Sequence, residues 1–380
     1  MNSVRPSIKT STPSQFRSVG MSLTETTPSD LLARQARAAE RHDDPAAERN
    51  AVGPWPSIRG QARAIAVAAA TCLVILTAIE LAFFRSGFFA MHVAISNPQA
   101  PLAKLALAER HPEAQVVYVG DSTIMTSVVP TVVSAECASC GPGFNAGFAA
   151  ANPWLTRAMT RRLLGPLRPH VVVISVSPWT VDSAAQFTDS DLARQLMSPA
   201  ELEALGASLA LDERIDATLA GVWSAYGQRL LIKEWFSAFA PGQRYDESLL
   251  GYWVAPGSAN SSSRVAALAG RLFANVGDAE ASAPGAQVIA SLVDELHARG
   301  IKAVFLIPPL HPASYEIAGP YLRAAEAAIA DVAAQHQVPM IDCRSAVDAA
   351  DFRDATHILP TAAERHSRCV GQQMRALALD

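Results

Sequence analysis

From residue 115 onward, short runs of valine and isoleucine alternate with longer stretches whose apolar side chains recur every three or four positions. Residues 115–119, 171–176, 302–307 and 338–341 are near-continuous apolar runs without polar alternation. That pattern suits strands buried on both faces, as in a parallel sheet covered by helices. Residues 142–146 add a further short strand, and residues 153–164, 286–299, 320–335 and 361–377 have helical length and spacing. Strand and helix alternate, so the expected fold class is α/β with a doubly wound, mostly parallel five-stranded sheet. Residues 183–285 break the rhythm with helix-prone segments and a Gly/Ser/Asn-rich patch at 257–263, and are expected to form an insertion or lid beside the site.

Ahead of this domain the pattern changes twice. Residues 1–60 are rich in Ser, Thr, Pro, Arg and Asp with few aromatics, too little apolar surface to offset chain entropy, and read as a disordered cytoplasmic tail. Residues 64–84 then carry a single ionisable side chain, Glu80, and as a helix would reach about 30 Å, enough to cross a bilayer's hydrocarbon core. A core helix is seldom apolar on every face for so long. More than sixty residues precede the segment, so it reads as an uncleaved signal anchor. Arg49, Arg59 and Arg63 before it against Arg85 and Lys104 after it keep the tail inside. The expectation is a single-pass protein of a bacterial-type inner membrane whose domain, residues 115–380, is periplasmic. Residues 86–114 form a connector, helical around 102–110.

Composition narrows the partners. Half of the 380 residues are hydrophobic, and 31 basic against 35 acidic side chains leave a net charge of −4, no electrostatic footprint for nucleic acid. The lipid bilayer is the one partner this composition implies. Of five cysteines, Cys72 lies in the span. Cys137 and Cys140 form a C-x-x-C that lacks the second pair of a four-thiolate zinc site and is followed by Gly141-Pro142-Gly143 rather than a helix, against a thioredoxin-like role. Disulfides or idle thiols remain, and Cys343 at the end of the last strand can pair with Cys369 in the final helix. No metal and no cofactor is expected: Gly141-x-Gly143-x-x-Ala146 matches a dinucleotide fingerprint only on paper, with no clear strand before it and no acid about twenty residues on.

The chemistry gathers where ligands bind in open parallel sheets, outside the carboxyl ends of the strands. Gly120-Asp121-Ser122 follows the first strand, and a serine at a strand-to-helix turn can present its hydroxyl and lend its own N–H to an oxyanion. Alone the tripeptide is equally a turn and helix cap. Asp354-Ala355-Thr356-His357 sits before the last helix at the same edge. There the imidazole can take the hydroxyl's proton while the carboxylate fixes its tautomer. His311, in the loop after the strand at 302–307, lines the pocket or is a structural loop histidine. Trp179, Trp223, Trp235 and Trp253 offer a sugar-stacking surface or are buried aromatics. No G-x-S-x-G elbow and no phosphate loop occurs.

With Gly-Asp-Ser after strand one and Asp-x-x-His before the last helix, residues 115–377 resemble the SGNH (GDSL-like) hydrolase superfamily. The resemblance implies a three-layer α/β/α sandwich with a flavodoxin-like core and a triad of Ser122, His357 and Asp354. Asn145-Ala146-Gly147 is similar to that family's second block, which implies an oxyanion role for the N–H of Gly147, with Asp121 and Asn145 at the pocket. Where the family shows Gly-x-Asn-Asp, this chain reads Ser175-Val176-Ser177-Pro178, so either Ser177 replaces the missing amide or backbone groups suffice. The departure resembles divergent membrane-anchored members linked to acylation of cell-surface polymers. It implies a serine esterase or O-acyltransferase acting on a cell-envelope glycan, with a polysaccharide and envelope proteins as partners. A scaffolding protein that keeps the fold without the chemistry is the competing class.

Overall fold

Strands form over the apolar runs and the segment at 142–146, as Val116–Val119 (β1), Gly143–Asn145 (β2), Val171–Ser175 (β3), Lys302–Ile307 (β4) and Met340–Asp342 (β5). The computed structural model describes residues 58–86, 88–89, 100–177, 193, 196–204, 211–229, 232, 246–254, 258, 260–273 and 284–378. Residues 1–57 of the expected tail, 90–99 of the connector, and Trp179 and Trp235 lie outside them. All five strands pair in parallel, in the order β2-β1-β3-β4-β5. The chain enters at β1, winds out to β2, crosses back to β3 and continues to β5, so the direction of winding reverses beside β1.

The chain divides into two units, Met1–Thr71 and Cys72–Asp380. Of the first, residues 58–71 are described and are helical. They open Ile58–Ile79 (α1), which passes into one π-helical turn, Glu80–Phe84. The stretch Gly60–Phe84 is long and apolar enough to cross a membrane, with Ile65, Leu73, Val74 and Ile75 all exposed.

The second unit holds the sheet. Its helices are Pro101–Ala108 (α2), Ser122–Ser127 (α3), Pro130–Glu136 (α4), Pro153–Leu163 (α5), Ser262–Leu272 (α6), Pro284–His297 (α7), Pro312–His336 (α8) and Pro360–Ala376 (α9). Several open on proline, whose fixed φ and missing N–H suit the first helical position. Successive strand residues point to opposite faces. Val116, Tyr118, Val171, Val173, Val304, Leu306 and Ile341 therefore pack with Ile124 of α3, Val133 of α4 and Val370 and Met374 of α9. Val117, Val119, Val172, Ile174, Phe305 and Ile307 pack on the other side with α2, α5, α7 and α8. The outcome is a three-layer sandwich.

Two elements differ from the sequence pattern. The helix expected from residue 320 begins at Pro312, because the chain continues through Pro320 with a non-helical Ala318 (φ −122°, ψ 25°). A proline removes one helical hydrogen bond and its ring crowds the preceding turn, so the helix bends there instead of starting there. Of the patch at 257–263, Ser262 and Ser263 belong to α6, which packs beside α8 through Ala269 and Leu322. Within the insertion, short helices also occupy Pro199–Ala204, Leu211–Val222 and Ser224–Gly227.

Residues 246–254 of the insertion lie against the end of β2. Asn145 N–H donates to Leu250 O at 2.8 Å, and Trp253 N–H to Met125 O at 3.1 Å. Lys104, fully buried on α2, donates to the carbonyls of Asn145 (3.2 Å) and Gly251, and burial takes its ammonium down to about 7. Disulfides join Cys137 to Cys140 and Cys343 to Cys369, while Cys72 is an exposed free thiol. The second bond ties the end of β5 to α9 across 26 positions of chain. A loop of that length, closed in the unfolded chain, is worth about 3 kcal/mol. The Cys343→Ser, Cys369→Ser double variant should therefore lose roughly that much stability in chemical denaturation. A loss under about 1 kcal/mol would mean that the bond constrains little.

Candidate active site

Between β1 and α3 the backbone turns within two residues. Gly120 adopts φ 144°, and a Cβ there would lie 2.6 Å from Cβ of Ser175 on the neighbouring strand. Only glycine meets both conditions. Asp121 caps α3, its Oδ1 accepting from Thr123 N–H at 2.9 Å and from the Thr123 hydroxyl. Ser122 is thus the first helical residue, where the backbone N–H has no partner within the helix.

The opposite half of the site is the loop between β5 and α9. An antiparallel bridge between Phe352 and Ile358 and the Arg353 N–H to His357 O bond (2.9 Å) fold residues 352–358 into a tight turn. Inside it, Asp354 Oδ1 accepts from the N–H groups of Thr356 (3.0 Å) and His357 (2.9 Å). His357 Nδ1 lies 2.9 Å from both Asp354 oxygens, and Nε2 lies 2.8 Å from Ser122 Oγ. With Nδ1–H assigned to the carboxylate, Nε2 is left to accept the serine proton. All three side chains stay partly open to solvent.

Below the turn, α8 holds it in place. His311 N–H and the Ser314 hydroxyl both donate to Ala355 O, at 3.1 and 3.4 Å. His311 Nδ1 accepts from Ala313 N–H at 3.1 Å, capping α8, and its ring meets Phe352 edge-on at 5.4 Å. Burial lowers its pKa. His311 is therefore a buried support for the Asp354 loop, with its ring directed at protein.

Several residues proposed from sequence have other partners. Asn145 is buried, and its amide donates to Ile124 O (2.8 Å) and Val128 O (2.7 Å), clamping β2 to α3. Its Oδ1 accepts the N–H of Gly147 at 3.0 Å, so the expected oxyanion donor is already engaged. Ser177 is buried with its hydroxyl 3.2 Å from Thr123 Oγ1. Asp121 is also buried; burial raises its pKa, against hydrogen bonds from Thr123 and Ser177. Trp253 is half-buried and Trp223 is 40% exposed.

Thr123 and Thr356 were not singled out in the sequence, though each stands two residues after an aspartate, the spacing that lets a carboxylate bond the backbone ahead of it. Ala150 gave no signal at all. It holds a left-handed backbone (φ 57°) in the loop after β2, and its N–H makes no hydrogen bond among the described residues. That loop touches the serine turn, since Phe148 N–H donates to Gly120 O at 3.1 Å. Among the described residues no group of three His, Cys, Asp or Glu side chains could hold a metal ion.

No family model and no curated protein matches the chain. Among solved structures it is similar to a candidate acylhydrolase from Bacteroides fragilis NCTC 9343, with 13% identity, coverage of 70% of this chain and 88% of that one, and a TM-score of 0.34. An overlap so loose has no bearing on the chemistry.

Burial raises the pKa of Asp354, but hydrogen bonds and charge from His357 and the two backbone donors outweigh it and bring the carboxyl from 3.8 down to about 2. Because the folded value lies below the unfolded one, the carboxylate contributes stability that is complete above about pH 4 and is lost as pH falls through about 2. Asp354→Asn should flatten the fall in melting temperature across that window relative to wild type. An equally steep fall in the variant would show that Asp354 is not the titrating group.

Proposed function

We propose that the chain is a serine esterase or O-acyltransferase of the SGNH type, anchored in a bacterial-type inner membrane and acting outside the cytoplasm on acyl groups of a cell-envelope glycan. The observation that carries the reading is the continuous line from Asp354 through His357 to Ser122 Oγ, with 2.9 and 2.8 Å steps. Oγ attacks an ester carbonyl as Nε2 takes its proton, and Asp354 stabilises the imidazolium that forms. His357 returns the proton to the leaving alcohol, an acyl-Ser122 remains, and water or a sugar hydroxyl activated by the same imidazole resolves it. Hydrolysis and transfer differ only in that acceptor.

The oxyanion in this scheme takes the N–H of Ser122 as first donor. Since Gly147 N–H is held by Asn145, we assign the second to Ala150, whose strained backbone keeps its N–H unpaired in the same loop. Two disulfides outside the span favour an oxidising compartment.

The wild-type domain is expected to hydrolyse p-nitrophenyl acetate and to be labelled covalently by a fluorophosphonate. Ser122→Ala should abolish both, and Asp354→Asn should lower turnover by about 10⁴-fold while leaving residual activity. Ser177→Ala should cost less than about 10-fold, because its hydroxyl is already engaged below the site. Wild-type rates in Ser122→Ala, or no labelling of the wild type by any ester or phosphonate, would leave a scaffolding role in place of the enzyme.

A further inference from the structure

The insertion carries an apolar stripe that faces solvent. On the helix Leu211–Val222, Leu211 (74% exposed), Ile215 (51%) and Leu219 (41%) stand four residues apart, with Val222 (67%) three further on. At 100° per residue these four share one side. The helix packs with its other side: Asp216 bonds Tyr226 and, at 3.1 Å, Arg229, while Ala220 lies against Gly227. Asp212 and Arg214 stay exposed beside the stripe. A soluble domain seldom leaves such a row uncovered without an occupant.

What covers it is indicated by where the helix is tied. The carboxylate of Glu80, near the end of the apolar stretch Gly60–Phe84, accepts from Ser224 N–H (2.7 Å) and Ala225 N–H (2.9 Å). Arg85, just beyond that stretch, donates to Val222 O at 2.5 Å. The carboxyl end of the stripe helix is thus bonded to the residues where a spanning helix leaves the hydrocarbon. Next to it, Trp223 stacks on Tyr226 with centroids 6.3 Å apart, and the Arg229 guanidinium lies 4.4 Å over the Tyr226 ring. Trp and Tyr are the side chains enriched at membrane–water interfaces.

We propose that Leu211–Val222 is an in-plane membrane helix, with Leu211, Ile215, Leu219 and Val222 sunk among the lipids of the leaflet from which the spanning helix emerges, and Trp223 and Tyr226 at headgroup level. An amphipathic helix with a charged far side binds an interface in this way through its apolar face. The domain then meets the bilayer at two points, which restrains its swing about the anchor. The proposal is independent of the chemistry at Ser122.

The test uses the full chain in the Cys72→Ser background, reconstituted in phosphatidylethanolamine/phosphatidylglycerol vesicles. Single cysteines at Ile215, Leu219, Ile75 and Glu364 carry a nitroxide, and power saturation compares access to oxygen with access to a water-soluble nickel chelate. Labels at Ile215 and Leu219 should favour oxygen, as should Ile75 within the span, whereas Glu364 on the exposed side of α9 should favour the chelate. Labels at 215 and 219 that behave like 364 overturn the proposal. Shielding from both reagents also overturns it, by showing that a protein covers the stripe. If Ile75 itself favours the chelate, α1 does not span and the in-plane helix falls with it.

Discussion

The strand-to-helix turn at Gly120 is the constraint on which the rest of the site depends. Chain direction must change between Val119 and Ser122 while β3 runs alongside, so closely that a Cβ on Gly120 would overlap Ser175. A second glycine answers it from the other side, since a Cβ on Gly147 would stand 2.5 Å from Ile124 Cγ2 and 2.8 Å from Met125 N. The first turn of α3 is thereby gripped between two backbones at distances no other residue allows. Displacement of a reacting group by about 1 Å can cost about 10²-fold in rate, and close backbone packing of this kind limits such displacement.

Much of this was legible in the chain. The apolar runs gave four of the five strands to within about two residues, because strands buried on both faces need unbroken apolar sequence and little else satisfies it, while the short strand at 142–146 has no such run. Gly120-Asp121-Ser122 and Asp354-x-x-His357 were readable because each motif is local, and the sheet edge where they meet follows from strand direction. What was not readable depends on contacts between distant segments. Nothing in Asn145 announces that its amide will clamp α3 and its carbonyl will engage Gly147, and nothing in Ala150 announces a left-handed φ. His311 stayed open between pocket and structure for a related reason: an imidazole after a strand at the carboxyl edge has the same local signature whether it faces a pocket or caps a helix.

The two carboxyls of the site illustrate how environment separates like groups. Asp354 has two backbone donors and an imidazole, and stays ionised far below neutral pH. Asp121 is buried, its Oδ2 has no hydrogen-bond partner among the described residues, and burial moves its pKa up against the hydrogen bonds from Thr123 and Ser177. One carboxylate holds the His357 imidazole, and the other organises a helix start. Their sequence contexts are alike, each an aspartate followed two residues later by threonine.

The bond between Cys343 and Cys369 encloses residues 344–368, and with them both Asp354 and His357. Two members of the proposed triad therefore ride on a covalent ring, whereas Ser122 belongs to the open chain before it. Ring closure shortens the tether on His357 alone, so thiol chemistry acts on one partner of a two-partner alignment. A chain in which this bond is open keeps Ser122 on a rigid turn but holds His357 on a longer tether. Formation of that bond thus completes the framework that holds His357 against Ser122.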